Sequence, residues 1–191
     1  MQNIMNCIDS INSWLVEACE NVNLKKPVDL LTGEFILAKP EIFSMFVPFD
    51  ELNEAEFKKH APFAVVQLDD TDESILEHQG SVDIIIHLAV WNPGTSKDEK
   101  NDVEISVNKT YKRDAEGWRD VFAFSEAVTN KLKTVGSING YKIDYKKGIQ
   151  RRTIKEQKSL INFYPMYYLD IAFSVEMYSP LNPSNEYRHL L

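Results

Sequence analysis

The chain opens with Ile4, Ile8, Ile11, Leu15, Ala18 and Val22 at steps of three and four, the spacing that sets six apolar side chains on one helical face. Lys25, Lys26 and Pro27 then predict a basic last turn and a stop. Residues 27–62 are broken by Pro27, Pro40, Pro48 and Pro62, with a short helix expected from Asn53 to His60. Pro62 to Leu68, PFAVVQL, is a compact apolar run of strand type. Ser81 to Trp91, SVDIIIHLAVW, is β-branched and nearly continuous, as a strand partly covered on both faces would be. Between them the acidic run DDTDESILEHQG reads as the loop of a hairpin. Asn92, Pro93 and Gly94 open a polar excursion with a short strand expected at Val103 to Val107. GWRDVFAFSEAVTNKLKTVG returns to helical spacing through Trp118, Val121, Phe122, Ser125, Val128, Leu132 and Val135, ending at Gly136. GYKIDYKKG alternates Tyr141, Ile143 and Tyr145 against Lys142, Asp144 and Lys146. Leu169, Ile171, Phe173, Val175 and Met177 alternate with wetter neighbours in the clearest strand of all. The tail from Ser179, with Pro180 and Pro183, is expected to be loose.

The order helix, strand, strand, helix, strand, strand predicts an α+β two-layer sandwich, a mostly antiparallel four-stranded sheet with two helices packed on one face. Residues 1–178 would form one domain, with insertions at 27–61, 92–116 and 147–162. At 191 residues, 43% hydrophobic and 26% charged, the chain can bury one sizeable core, and disordered or collagen-like classes are excluded. No run of about 18 apolar residues is present to span a bilayer. Asp9, Glu17 and Glu20 interrupt the first segment and it has no basic start, so a signal peptide is not expected and a cytoplasmic location is. Cys7 and Cys19 lie twelve apart in one expected helix, about 18 Å along its axis. That separation is too long for a disulfide, and core packing is the default for both.

Charge changes the picture. The total is −8, but residues 1–110 carry 8 Lys/Arg and 20 Asp/Glu, for −12, while residues 111–191 carry 13 and 9, for +4. Lys142, Lys146, Lys147, Arg151, Arg152, Lys155 and Lys158 hold much of the positive charge. A bipolar subunit suits head-to-tail contact with its own copies; a basic stripe can equally meet nucleic acid, and a solvated surface is the plainest alternative.

The candidate chemistry is thin. His60, His78, His87 and His189 show no metal-binding spacing, and the Gly-rich phosphate loops and the nucleophile elbow are missing. Asp69, Asp70, Asp72 and Glu73 could hold a hard cation, although the EF-hand spacing is absent and a charged contact surface explains them as well. Asp144-Tyr145-Lys146 has the acid-x-lysine form of metal-dependent nucleases, in which a carboxylate holds Mg²⁺ and the lysine positions water, with Asp83 or Asp120 as a second carboxylate. A strand with one wet face gives the same alternation. Phe163, Tyr164, Tyr167 and Tyr168 could stack bases or, more ordinarily, fill a sheet edge or a protein interface.

Taken in order, PFAVVQLDDTDE, GSVDIIIHLAVW, GWRDVFAFSEAVTNKLK, GYKIDY and YPMYYLDIAFSVEM resemble the tail terminator, or tail completion, proteins of long-tailed phages and prophages. The resemblance covers roughly residues 1–22, 62–91 and 117–178, and Gly117-Trp118-Arg119-Asp120-Val121 is its most specific piece. It implies a structural subunit, not an enzyme and without a cofactor or metal. Such a subunit forms a homo-oligomeric ring, usually a hexamer, on the last ring of the tail tube protein. There it stops growth, offers the docking surface for the head-tail connector and meets nucleic acid only as the genome passing through. Assembly in the bacterial host cytoplasm and residence in the virion tail follow, with no membrane partner. The expected contact sets Asp69, Asp70, Asp72 and Glu73 of one subunit against Lys146, Lys147, Arg151, Arg152, Lys155 and Lys158 of the next, with Trp118 and Arg119 completing the interface. The alternatives are a head-tail connector or other neck protein of the same virion, or a small nuclease using Asp144 and Lys146.

Overall fold

The computed structural model describes residues 4–30, 33–47, 58–74, 79–97, 110–112, 115–156, 159–160 and 163–178. Helix α1 is Ile4–Ala18 and buries Cys7, Ile8, Ile11 and Leu15 on the face that the spacing predicts. It ends four residues short of Val22, in a stretch with Asn21 and Asn23, both weak helix formers. Lys25, Lys26 and Pro27 therefore do not cap it. They belong to β1 (Leu24–Asp29), which pairs antiparallel with β2 (Glu34–Ala38) as a separate two-stranded sheet.

The centre of the molecule is one long ladder. β4 (Phe63–Ser74), β5 (Gln79–Trp91) and β13 (Met166–Tyr178) lie side by side and antiparallel, with Met166 opposite Trp91 and Tyr178 opposite Gln79. β3 (Glu41–Ser44) joins the free side of β4 and runs parallel to it. On the far side β13 takes β10 (Gln150–Arg152) against its middle and β9 (Tyr141–Ile143) against its end, and β8 (Ser137–Ile138) flanks β9. Two short hairpins, β6 (Thr95–Lys97) with β7 (Thr110–Lys112) and β11 (Lys155–Glu156) with β12 (Ser159–Leu160), stand apart from this sheet. The expected four-stranded sandwich is thus overturned: the sheet has seven strands, order β3-β4-β5-β13-β9-β8 with β10 added on β13. The extra strands are two to four residues long, too short to leave a period of two in the sequence.

Two further expectations change. The acidic run is not a loop as far as Ser74, because Asp70, Thr71, Asp72 and Glu73 continue β4 opposite Asp83, Val82, Ser81 and Gly80 after a bulge at Leu68/Asp70. Backbone pairing with β5 overrides the low strand propensity of Asp and Glu. The strand expected through Lys146 stops at Ile143, and Tyr145 to Lys147 form a turn. The strand expected at Val103 to Val107 and the loose tail from Ser179 lie outside the described residues, as does most of the helix expected from Asn53.

Helix α2 (Glu116–Thr134) and α1 share one core with one face of the sheet, where Val82, Ile84, Ile86 and Leu88 meet Leu169, Ile171, Phe173 and Val175. α2 buries Val121, Ser125, Val128 and Leu132 of the expected face, but it adds Phe124 and leaves Phe122 exposed. At 3.6 residues per turn Phe122 sits about 100° from Val121, on the flank of the stripe. Gly117 is the one residue that fits its place, since a Cβ there would lie 2.0 Å from the ring of Tyr167. A smaller cluster of Val47, Phe63, Val65, Trp91 and Met166 covers one end of the opposite face. Among the described residues no helix is long and apolar enough to cross a membrane.

Candidate functional site

Three structural features are candidates: the uncovered part of the sheet, the basic turn beside it, and the β1–β2 hairpin. Alternation sends every second residue of β4, β5 and β13 away from the helices, and beyond the cluster around Phe63 and Trp91 that face carries the polar side chains Gln67, Asp83, His87, Asp170, Ser174 and Glu176. His87 and Asp170 oppose each other across β5 and β13, with Nδ1 2.7 Å from the Asp170 Oδ1, while Nε2 lies 2.9 Å from the Gln67 Oε1. Further along, the Ser174 hydroxyl donates to the Asp83 Oδ1 at 2.5 Å, and Lys147 Nζ donates to the same oxygen and to Ser81 Oγ, each at 3.0 Å. Burial pushes the Asp83 carboxyl up, but the bonds from Ser174 and Lys147 and the charges of Lys147 and Arg152 outweigh it and hold the pKa below the usual value. Lys142 donates to both oxygens of Glu176 at the ladder's end.

The basic segment is brought here by the turn after β9. Asp69, Asp83, Lys147, Gln150, Arg152 and Ser174 line a shallow cleft of about 90 Å³. Arg152 donates to Gln150 Oε1 from two guanidinium nitrogens, at 3.1 and 2.7 Å. Lys147 and Arg152 of the expected basic surface thus lie around Asp83 of their own subunit, a carboxylate outside the expected acidic set. Lys146, Arg151 and Lys155 point into solvent, and Lys158 lies outside the described residues. Asp69 is exposed; Asp70, Asp72 and Glu73 are placed by backbone alone.

The acid-x-lysine candidate lies on a turn and not on a strand. Asp144 lies beyond its strand and its Oδ1 accepts the Lys146 N–H at 2.9 Å, a local turn cap. Asp120 accepts from Asn92 Nδ2 at 2.6 Å, and Asn92 Oδ1 in turn accepts from Lys25 Nζ at 3.1 Å, a buried junction tying β1, β5 and α2. Among the described residues no three His, Cys, Asp or Glu side chains come together as a metal site. Of the histidines, His60 bonds Glu41 at 3.0 Å, and His78 and His189 lie outside the described residues. Both cysteines are buried, and that burial pushes their thiols up to about 12. Of the candidate base-stacking aromatics, Tyr167 is buried and Tyr164 donates to the Pro93 carbonyl at 2.7 Å. Trp118 packs edge-on against Tyr167 with centroids 5.5 Å apart, and Arg119 is exposed and pairs with Glu116.

The feature that sequence reasoning passed over is the β1–β2 hairpin. β2 exposes Phe35 at 45%, Ile36 at 55% and Leu37 at 66%, and successive strand residues face opposite ways, so both faces carry apolar side chains into solvent. Its base is fixed, with Leu24 buried, Lys25 bonded to Asn92 and Lys26 paired with Glu41. The only signal was four consecutive apolar residues, Phe35 to Ala38, between Glu34 and Lys39, with no period to attract notice.

No family model matches the chain, and no curated protein matches it.

Proposed function

We propose that this chain is a structural subunit that works by binding, as a tail terminator that closes into a ring on the end of a phage tail tube. The observation carrying the binding half is a contrast of valences. The polar groups on the open sheet face bond to one another, whereas Phe35, Ile36 and Leu37 stand outside the apolar clusters of the described residues. A surface whose polar atoms are paired and whose apolar atoms are wet gains free energy from another surface. The resemblance of the ordered segments to tail terminators supports the ring, and so does the charge split of −12 and +4. In this reading the subunit assembles in the bacterial host cytoplasm, binds the tube, stops its growth and offers a docking surface to the head-tail connector. Exposed Arg151, with Arg152, reaches an acidic surface of the next subunit.

Light scattering followed by negative-stain imaging tests the ring, expected to hold about six subunits. Reversing both charges, Arg151→Glu with Arg152→Glu, is expected to weaken assembly while the far-UV spectrum stays native. Normal tail length and infectivity with that variant would overturn the reading. Normal tails left unattached to heads after loss of the protein would make it a connector instead.

A further inference from the structure

From the register of the hairpin we infer that β2 is a two-fold pairing strand, through which the chain binds a second copy of itself edge to edge. Among the described residues β2 pairs with one strand only, β1, and from Phe35 to Ala38 its other edge offers peptide groups that no strand takes up. A two-fold axis perpendicular to such a sheet keeps each side chain on its own face, so opposed residues must be an even number apart. Of the registers this allows, only the one centred on Ile36 uses all five residues of Glu34–Ala38.

In that register Ile36 meets Ile36 of the second copy, Phe35 meets Leu37, and Glu34 meets Ala38. Apolar opposes apolar on both faces, and no two like charges meet. Centring on Phe35 would set Glu34 against Ile36, and centring on Leu37 would set Phe35 against Lys39. Cross-strand rows then run the width of a four-stranded sheet. On one face Lys25 and Leu37 of one copy continue into Phe35 and Pro27 of the other. Lys25 Nζ already lies 5.1 Å from the Phe35 ring centre, which holds that ring on the shared face.

The strand matches itself better than it matches a generic extended peptide, which favours a second copy as occupant. Five residues a side bury well under the roughly 1,600 Å² of a standard interface, so the pair dissociates on dilution. The contact goes beyond the ring reading, because a two-fold joins copies in pairs and leaves the surfaces for a head-to-tail ring free.

Charge placement at the axis tests both the pairing and its register, read by sedimentation velocity over a range of protein concentrations. The wild type is expected to reach even multiples of its 22.0 kDa mass. Ile36→Glu and Ile36→Lys, each alone, put like charges face to face and are expected to halve that mass, from a pair to a monomer or from a double ring to a single one. Mixing the two variants in equal amounts is expected to restore it. Overturning results are a wild type of 22.0 kDa at every concentration, single variants that keep the wild-type mass, or a mixture that fails to recover. A six-subunit ring unchanged by either variant would remove the pairing and leave the ring reading standing.

Discussion

The β5–β13 ladder and the β1–β2 hairpin are built from the same antiparallel pairing and have opposite surroundings. β5 and β13 have strands on both sides, and alternate residues from Val82 to Leu88 and from Leu169 to Val175 are sealed beneath two helices. Among the described residues β2 has one neighbour, and it exposes four of its five residues. Backbone pairing alone therefore does not decide whether a strand is core or contact surface; the second neighbour and the cover over each face do. In the ladder the apolar side chains already have partners, and in the hairpin theirs must come from elsewhere.

The largest break in this contrast is Phe173→Ala, which opens a cavity under both helices and is expected to cost about 3–5 kcal/mol in denaturant unfolding. The ladder's wet side carries a smaller and pH-dependent share. Asp83 titrates below its ordinary 3.8 when folded, so the stability it lends is complete above that pH and is lost as pH falls through the lower folded value. Asp83→Asn is expected to flatten that acid limb. The effect should stay under about 1 kcal/mol, because Lys147 and Asp83 keep 44% and 38% of their side chains exposed. Leu37→Ala is expected to move subunit stability by no more than about 0.5 kcal/mol, since the side chain already sits in water. An equally large loss at Leu37 and Phe173 would erase the distinction between the two regions.

Much of the ladder was legible in the sequence because burial on one face imprints a period of two, as Leu169 to Met177 show. The hairpin from Phe63 to Trp91 could be read for a different reason, its two compact, β-branched apolar runs either side of an acidic stretch. The acidic end of β4 could not, because what makes Asp70 to Glu73 a strand is the facing residues of β5, and pairing partners leave no local mark. His87, Asp170 and Gln67 were hidden likewise: their contacts span 83 and 20 residues of chain. Phe35 to Leu37 were legible as apolar but not as exposed, since the unbroken run Phe35 to Ala38 carries no face.

Amide hydrogen exchange across Glu34–Ala38, compared in dilute and concentrated wild-type protein, probes the exposed edge most directly. A β2 edge covered by another copy becomes protected at high concentration, in the alternate amides that point away from β1, while β5 and β13 stay equally protected throughout. Exchange of those amides that is fast and the same at every concentration would contradict a β2 edge that serves as a contact surface between copies.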